Sequence, residues 1–392
     1  MGTFDGADSE TGTIYSISGL YTKKTGTNNN MNNWCAGLFG KTGQGAVIKN
    51  VKVLDSYFES VYYSGIVGYS MGTTIQNVYT NATIHASCGS NGGIAGTMNN
   101  GTLSNCWFDG FITSGTEGST GGLVGLINNG NVTIKACLNT GTISSTGTKV
   151  GGFVGMIQQT TSKVNVTLTD SLNIGNVSSS DTLKTGSLVG VMEGNLYVDK
   201  NSVHTTSSDL TYSIAWMPGS LFDTNKNEIP RTGTTRNNYV PFQSVGAFLK
   251  NNAKLNTGLS FYDAIVNPNG AWSAEKAIPV LRDFEEYFDS SKLSVDIAWV
   301  ENPIKETING VEVNTYKIGK KEELLALAEY VNGGNNFAGE VIYLTADIEL
   351  NQGDASKWAK GEDIEGLLEW IPIGISGKAF KGTFDGKGHN IT

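Results

Sequence analysis

Arginine is almost missing from this sequence: 392 residues hold three, Arg231, Arg236 and Arg282. The first 230 residues therefore carry no guanidinium to clamp a phosphate or a polymer carboxylate bidentately. Histidine is equally scarce, with His85, His204 and His389 far apart, so no His-Glu-x-x-His or comparable zinc set can be drawn and no metal or cofactor is expected. No Asp-Asp pair occurs, and the four cysteines, Cys35, Cys88, Cys106 and Cys137, follow no zinc spacing. No apolar run reaches the roughly 18 residues that a membrane-spanning helix needs. Residues 1–6 have neither a basic nor an apolar leader region, so any export signal or anchor is expected outside this sequence. A net charge of -9, with no basic cluster, argues against nucleic acid as a partner.

What is abundant is glycine, 51 residues against 7 prolines, so turns are frequent and made mostly with Gly and Asn. The glycines recur in order. A Gly-apolar-apolar-Gly unit stands at Gly37-Leu38-Phe39-Gly40, Gly65-Ile66-Val67-Gly68, Gly93-Ile94-Ala95-Gly96, Gly122-Leu123-Val124-Gly125 and Gly152-Phe153-Val154-Gly155, with a variant at Ser187-Leu188-Val189-Gly190. The steps between first residues are 28, 28, 29, 30 and 35. A second unit follows each of the first five copies: Ile48 to Val51, Ile75 to Val78, Leu103 to Cys106, Ile134 to Cys137, Leu168 to Ser171. A third stretch alternates with period two, as in Thr140-Gly141-Thr142-Ile143-Ser144, so three short strands per period are expected.

These periods are rich in Gly, Asn, Thr, Ser and Val, which disfavour helix, so a helical solenoid is excluded. If the periods stack as coils, each strand pairs in parallel with its counterpart about 4.8 Å away and equivalent residues form ladders. The column Val51, Val78, Cys106, Cys137, Ser171 then lines the interior, with Cys106 and Cys137 as stacked neighbours read as buried thiols, a disulfide or redox role being the alternative. Asn50, Asn77 and Asn105 form a column at a turn, their amides bonding up the stack or to backbone groups that the bend leaves unpaired.

On these residues, with Gly122-Leu123-Val124-Gly125 and Leu138-Asn139-Thr140-Gly141-Thr142-Ile143 as the clearest copy, the period resembles the GLUG motif of long bacterial surface proteins and of some immunoglobulin-A-cleaving metallopeptidases. The resemblance covers about residues 37–204 and implies a parallel β-helix in a non-catalytic extracellular module. The expected fold is all-β: a right-handed parallel β-helix of 28–30-residue coils with a small α+β capping segment toward the C-terminus. The domains read as 1–204 for the helix, 205–292 for its exit and cap, and 293–392 for a connector strand (293–300) and the entry cap, with helix 320–331, of a following solenoid. Gly2-Thr3-Phe4-Asp5-Gly6 recurs as Gly382-Thr383-Phe384-Asp385-Gly386, an offset of 380 residues, which suggests one period of a larger tandem array with further modules as partners.

Parallel β-helices also carry polysaccharide lyases and glycoside hydrolases, so a carbohydrate-active enzyme is the alternative. The loose acids Asp55, Asp109, Asp170 and Asp199 fall at different positions in their periods, unlike a convergent carboxylate pair, and no catalytic residue is assigned. Tyr62, Tyr63 and Trp107 are the candidates for stacking on sugar rings, among neighbours Tyr57, Phe58 and Phe108 of which alternation turns about half inward. The expected role is a stiff, adhesive, extracellular cell-surface module that binds a glycan or another host surface ligand.

Overall fold

The computed structural model describes residues 2–24, 34–160, 163–180, 182–198, 203–205, 214–223, 225–229, 242–243, 270–273, 280–288, 299, 303–308, 310–332, 336–351, 357, 372–374 and 379–392. The chain forms two compact units, residues 1–242 with 254–288 and residues 243–253 with 289–392. Parallel strands stacked coil on coil make the first unit a β-solenoid of about seven turns.

The expected columns appear as interior ladders. Ile48, Ile75, Leu103, Ile134, Leu168 and Val198 are in register through successive coils and each is 2% exposed or less. A second wall, built on Tyr57–Ser60, Thr83–Gly92, Phe111–Gly121, Thr142–Ser145 and Val177–Ser179, contributes Phe58, Ile84, Ile112, Ile143 and Val177. Burying each such side chain is worth about 1.5–3 kcal/mol, so the stack holds itself together wherever the period is kept. The number of strands per coil varies around the expected three: Val67–Thr80 and Thr83–Gly92 complete one turn, while Val124–Ile127, Asn131–Lys135, Leu138–Asn139, Thr142–Ser145 and Val150–Gly151 complete another. Left-handed residues make the breaks, with Gly130 at φ 70° and Ala136 at φ 49°.

Val51, Val78, Cys106, Cys137 and Ser171 line the interior, 1% exposed or less, and Cys35, Cys106 and Cys137 are free thiols. The thiol hydrogens of Cys106 and Cys137 point at the Ser104 and Lys135 carbonyls, at 3.2 and 3.3 Å. Burial, reinforced by its Cys137 neighbour, pushes the Cys106 thiol far above its usual range, so it is neutral and a poor nucleophile.

The asparagine column is a hydrogen-bonded ladder. Asn50, Asn77 and Asn105 sit at φ 51–56°, a conformation their short amides tolerate better than most side chains. Asn105 Nδ2 donates to Asn77 Oδ1, Asn77 to Asn50 and Asn50 to Asp5 Oδ1, each at 2.8 Å. The next rung is Ala136, which keeps the left-handed backbone at φ 49° and leaves Asn105 Oδ1 buried without a partner. Ala136→Asn is therefore expected to stabilise the solenoid by about 1 kcal/mol, by relieving left-handed strain and supplying the missing donor. Equilibrium urea unfolding measures it; an unchanged or lower midpoint would contradict the ladder.

At the foot of the ladder the Lys49 ammonium, 2.9 Å away, leads in holding the Asp5 carboxyl down at about 2, helped by the Asn50 amide and the Ala7 N–H. A depressed carboxyl contributes stability above its unfolded value of 3.8 that is lost as pH falls toward 2. Asp5→Asn is accordingly expected to lower the melting temperature at neutral pH, with the gap from the native chain closing between about pH 4 and 2. A gap independent of pH would count against the pairing.

In the second unit, Ile304–Ile308 runs antiparallel to Val311–Ile318, which pairs in parallel with Val341–Leu344 and through it with Thr383–Asp385. The expected helix spans Lys321–Asn332. Glu323 accepts the N–H groups of Gly319 and Lys320 at 2.6 and 3.0 Å, closing donors that the helix start leaves free. Leu324, Leu327, Ala328 and Val331 are its buried stripe. The connector strand expected at 293–300 falls outside the described residues except for Trp299.

Candidate ligand-binding surfaces

Inward and outward side chains alternate along each strand, so every coil places a few residues on an outer wall. Phe58 and Phe108 point inward and are fully buried. Trp107 does not join the interior cluster, yet it is only 1% exposed. Its Nε1 donates to Thr140 Oγ1 at 2.7 Å, and Thr140 and Tyr79 both donate to the Asp109 carboxylate, at 2.6 and 3.0 Å. The turn Arg282–Tyr287, which follows the antiparallel pair Trp272–Ser273 and Val280–Leu281, covers this group. Tyr287 stacks on Tyr79 with ring centroids 4.4 Å apart, Phe284 packs beside it, and Glu286 pairs with Lys52 at 2.8 Å. Burial first, and then the Asp109 charge, drives the Tyr79 phenol far above its ordinary value. Trp107 thus offers no open face for a ligand in this arrangement.

Tyr62 and Tyr63 remain half-exposed. Strand Tyr63–Ser64 lies between Cys35–Ala36 and the Ser90–Asn91 rung, and Ser60 Oγ accepts the N–H groups of both tyrosines, at 3.1 and 3.2 Å. Trp34 lies 4.9 Å from the Tyr62 ring, Tyr69 stands edge-on to Tyr63 at 5.4 Å, and Lys41 Nζ sits 5.4 Å above Tyr69. Asn99 donates to the Tyr69 hydroxyl at 2.9 Å. The result is an aromatic shelf with one cation and phenol hydroxyls at its rim.

A second surface was not singled out from the sequence. On the outer side of the second wall, Tyr21, Tyr57, Thr83, Phe111 and Thr142 form one column, and Lys23, Glu59, His85, Thr113 and Ser144 form the next but one. Tyr21 is 69% exposed and stacks on Tyr57 at 5.6 Å with planes 14° apart. Glu59 accepts from Lys23 and from the Tyr57 hydroxyl, both at 2.9 Å. Lys23 first and Tyr57 second hold its carboxyl below the usual range, so it is ionised at neutral pH. The His85 Nδ1 is 2.7 Å from Thr113 Oγ1. Although Glu59, His85 and Thr113 occupy successive rungs, the Glu59 hydrogen bonds run to Lys23 and Tyr57, so acid, imidazole and hydroxyl are not linked as a nucleophilic relay. Period-two alternation in Tyr57–Ser60 and Thr83–Ala86 carried the signal for this face; the register that aligns those strands did not.

Among the described residues no group of three or more His, Cys, Asp or Glu side chains is placed to hold a metal, and no helix is long and apolar enough to cross a membrane. Fold and surfaces together define a parallel β-solenoid protein with tyrosine-rich outer faces. No family model matches the chain, and no curated protein matches it. Among solved structures it is similar to “a putative immunoglobulin A1 protease” from Bacteroides ovatus, at 17% identity and a TM-score of 0.43, over 69% of this chain and 76% of that one.

Proposed function

We propose that the chain is a stiff, non-catalytic, adhesive module of a bacterial cell-surface protein of the GLUG-repeat kind, one of several in tandem, and that its outer tyrosines bind a glycan. The observation that carries the reading is the conjunction of unbroken interior ladders with two half-exposed aromatic surfaces on rigid strands. Ladders that bury backbone bonds continuously resist bending and proteolysis better than a flexible linker of equal length. Tyr62 and Tyr63 on one surface, and Tyr21 and Tyr57 on the other, offer flat apolar faces bordered by hydroxyls and charges, as an amphipathic sugar ring requires. Ser60 and the pairing of Tyr63–Ser64 hold the backbone that carries Tyr62 and Tyr63, so a ligand would have only their side chains to order.

Glycan-array binding of the chain, beside Tyr62→Ala, Tyr63→Ala and Tyr57→Ala variants of unchanged melting temperature, tests the assignment. Selective binding weakened at least tenfold in one variant supports it. Absence of binding to every glycan removes the adhesive part, and polysaccharide turnover abolished by Glu59→Gln would replace the whole reading with the carbohydrate-active alternative.

A further inference from the structure

The outer column of the second wall interrupts its rings at one rung. Tyr57, Thr83 and Phe111 stand in register on successive strands, between Tyr21 on one side and Thr142 on the other. Tyr21 covers one face of the Tyr57 ring, stacked at 5.6 Å with planes 14° apart, so the other face looks along the column toward Thr83. Phe111, 40% exposed, rises from the rung beyond Thr83. Rungs lie about 4.8 Å apart, which sets the strands under Tyr57 and Phe111 roughly 9.6 Å from each other. Ring pairs meet at about 4.5–7 Å, so a flat ring midway between these two would reach both. The short Thr83 side chain forms the floor and leaves the height of the rings open.

The borders of this slot are polar. Glu59, His85 and Thr113 stand two residues further along the same strands, on the same outer side. Both bonds that Glu59 accepts, from Lys23 and from the Tyr57 hydroxyl, run to Oε2, so Oε1 is left for a donor. His85 spends Nδ1 on Thr113 Oγ1, which leaves Nε2 for a ligand. A purely apolar ring seated here would strip water from Oε1, Nε2 and the Thr83 hydroxyl and bond none of them. A pyranose stacks by its flat faces and carries hydroxyls around its edge, so it satisfies walls and border together. Glu59 is ionised and Lys23 is tied to it, so an acidic sugar would meet a like charge.

Resting on the glycan reading of this face, we infer that Tyr57 and Phe111 clasp one neutral pyranose ring over Thr83, with Glu59 and His85 bonding its hydroxyls. The clasped faces point along the column and the linkages of a sugar leave from its edge. A bound glycan therefore crosses the solenoid rather than following its axis, and one residue of it is enough for recognition.

NMR titration of the full chain with the methyl glycosides of glucose, galactose and mannose tests this. At least one is expected to bind. Thr83→Phe supplies the missing ring; it should raise the melting temperature slightly by completing the ring column and weaken that binding at least about tenfold. Phe111→Ala and Tyr57→Ala, at unchanged melting temperature, should weaken it as much, while Tyr62→Ala on the other surface should leave it alone. Binding that survives Thr83→Phe overturns the slot, and if it falls in Tyr62→Ala the adhesive module stands with its site on the other surface. Equally tight binding of N-acetylphenylalaninamide, blocked by Thr83→Phe, overturns the sugar as the ligand. Binding of none of the three glycosides overturns the single-ring inference, and if no glycan binds on an array the adhesive reading falls with it.

Discussion

Gly122→Ala is expected to destabilise the solenoid by about 3–5 kcal/mol, read as a large fall in the urea midpoint with the binding surfaces untouched. The cause is close approach. A Cβ on Gly122 would press on the Gly152 carbonyl oxygen of the next coil and lie 2.5 Å from Asn139 Nδ2 across the interior. Neither neighbour is the free end of a flexible side chain: one is backbone, and the other is an amide fixed by its own hydrogen bonds. The same opposition recurs along the stack, where Gly93 faces the Phe108 ring and Gly152 faces Asn173. The first glycine of each of these repeats thus makes room for one buried side chain on the facing wall. A loss under about 1 kcal/mol would mean that the coils slide apart more easily than their ladders imply.

Removing the other member of that pair is expected to cost about 2–4 kcal/mol, for a different reason. Asn139 is fully buried; its Nδ2 donates to the Gly152 carbonyl at 2.9 Å and to Asn173 Oδ1 at 2.7 Å, while its Oδ1 accepts the Gly141 N–H at 3.1 Å. Asn139→Ala leaves the Gly141 N–H with only the Phe108 carbonyl at 3.2 Å, removes a donor from the Gly152 carbonyl, and takes the Asn139 Nδ2 donor away from Asn173 Oδ1. Equilibrium unfolding of Asn139→Ala, Gly122→Ala and the double variant forms a cycle. The double variant should lose less than the sum by at least about 1 kcal/mol, since the clash with Asn139 disappears along with its side chain. Strict additivity would show that the two residues do not meet.

Much of this architecture was legible in the sequence. The 28–30-residue period set the coil length, and the apolar residue three before Val51, Val78, Cys106 and Cys137 marked both interior columns. Asn50, Asn77 and Asn105 were readable as a turn column because Asn is among the few residues that accept a left-handed backbone and can bond along a stack. The reason that Ala136 and Asp170 also stand in it, at φ 49° and 50°, lies in the backbone of the coil rather than in side-chain preference. Less was legible about the surfaces. Tyr62 and Tyr63 are half-exposed as a ligand site needs, but the Tyr21, Tyr57 and Glu59 face depended on a register that a three-residue slip would have hidden.

The sequence alone determined the periodic part of the protein, because a residue repeated at coil spacing meets its own counterpart and each ladder follows from one local rule. Tertiary structure alone decided what covers the outside. Trp107 is an outer-wall residue by its position, yet Tyr79, Thr140 and the turn Arg282–Tyr287, some 175 residues further along, close over it. It likewise decided why particular glycines are required, since Gly122 answers to Asn139 on the opposite wall and Gly152 to Asn173. Both are contacts between different faces of the coil, and the repeat relates each face only to its own counterpart in the neighbouring coils.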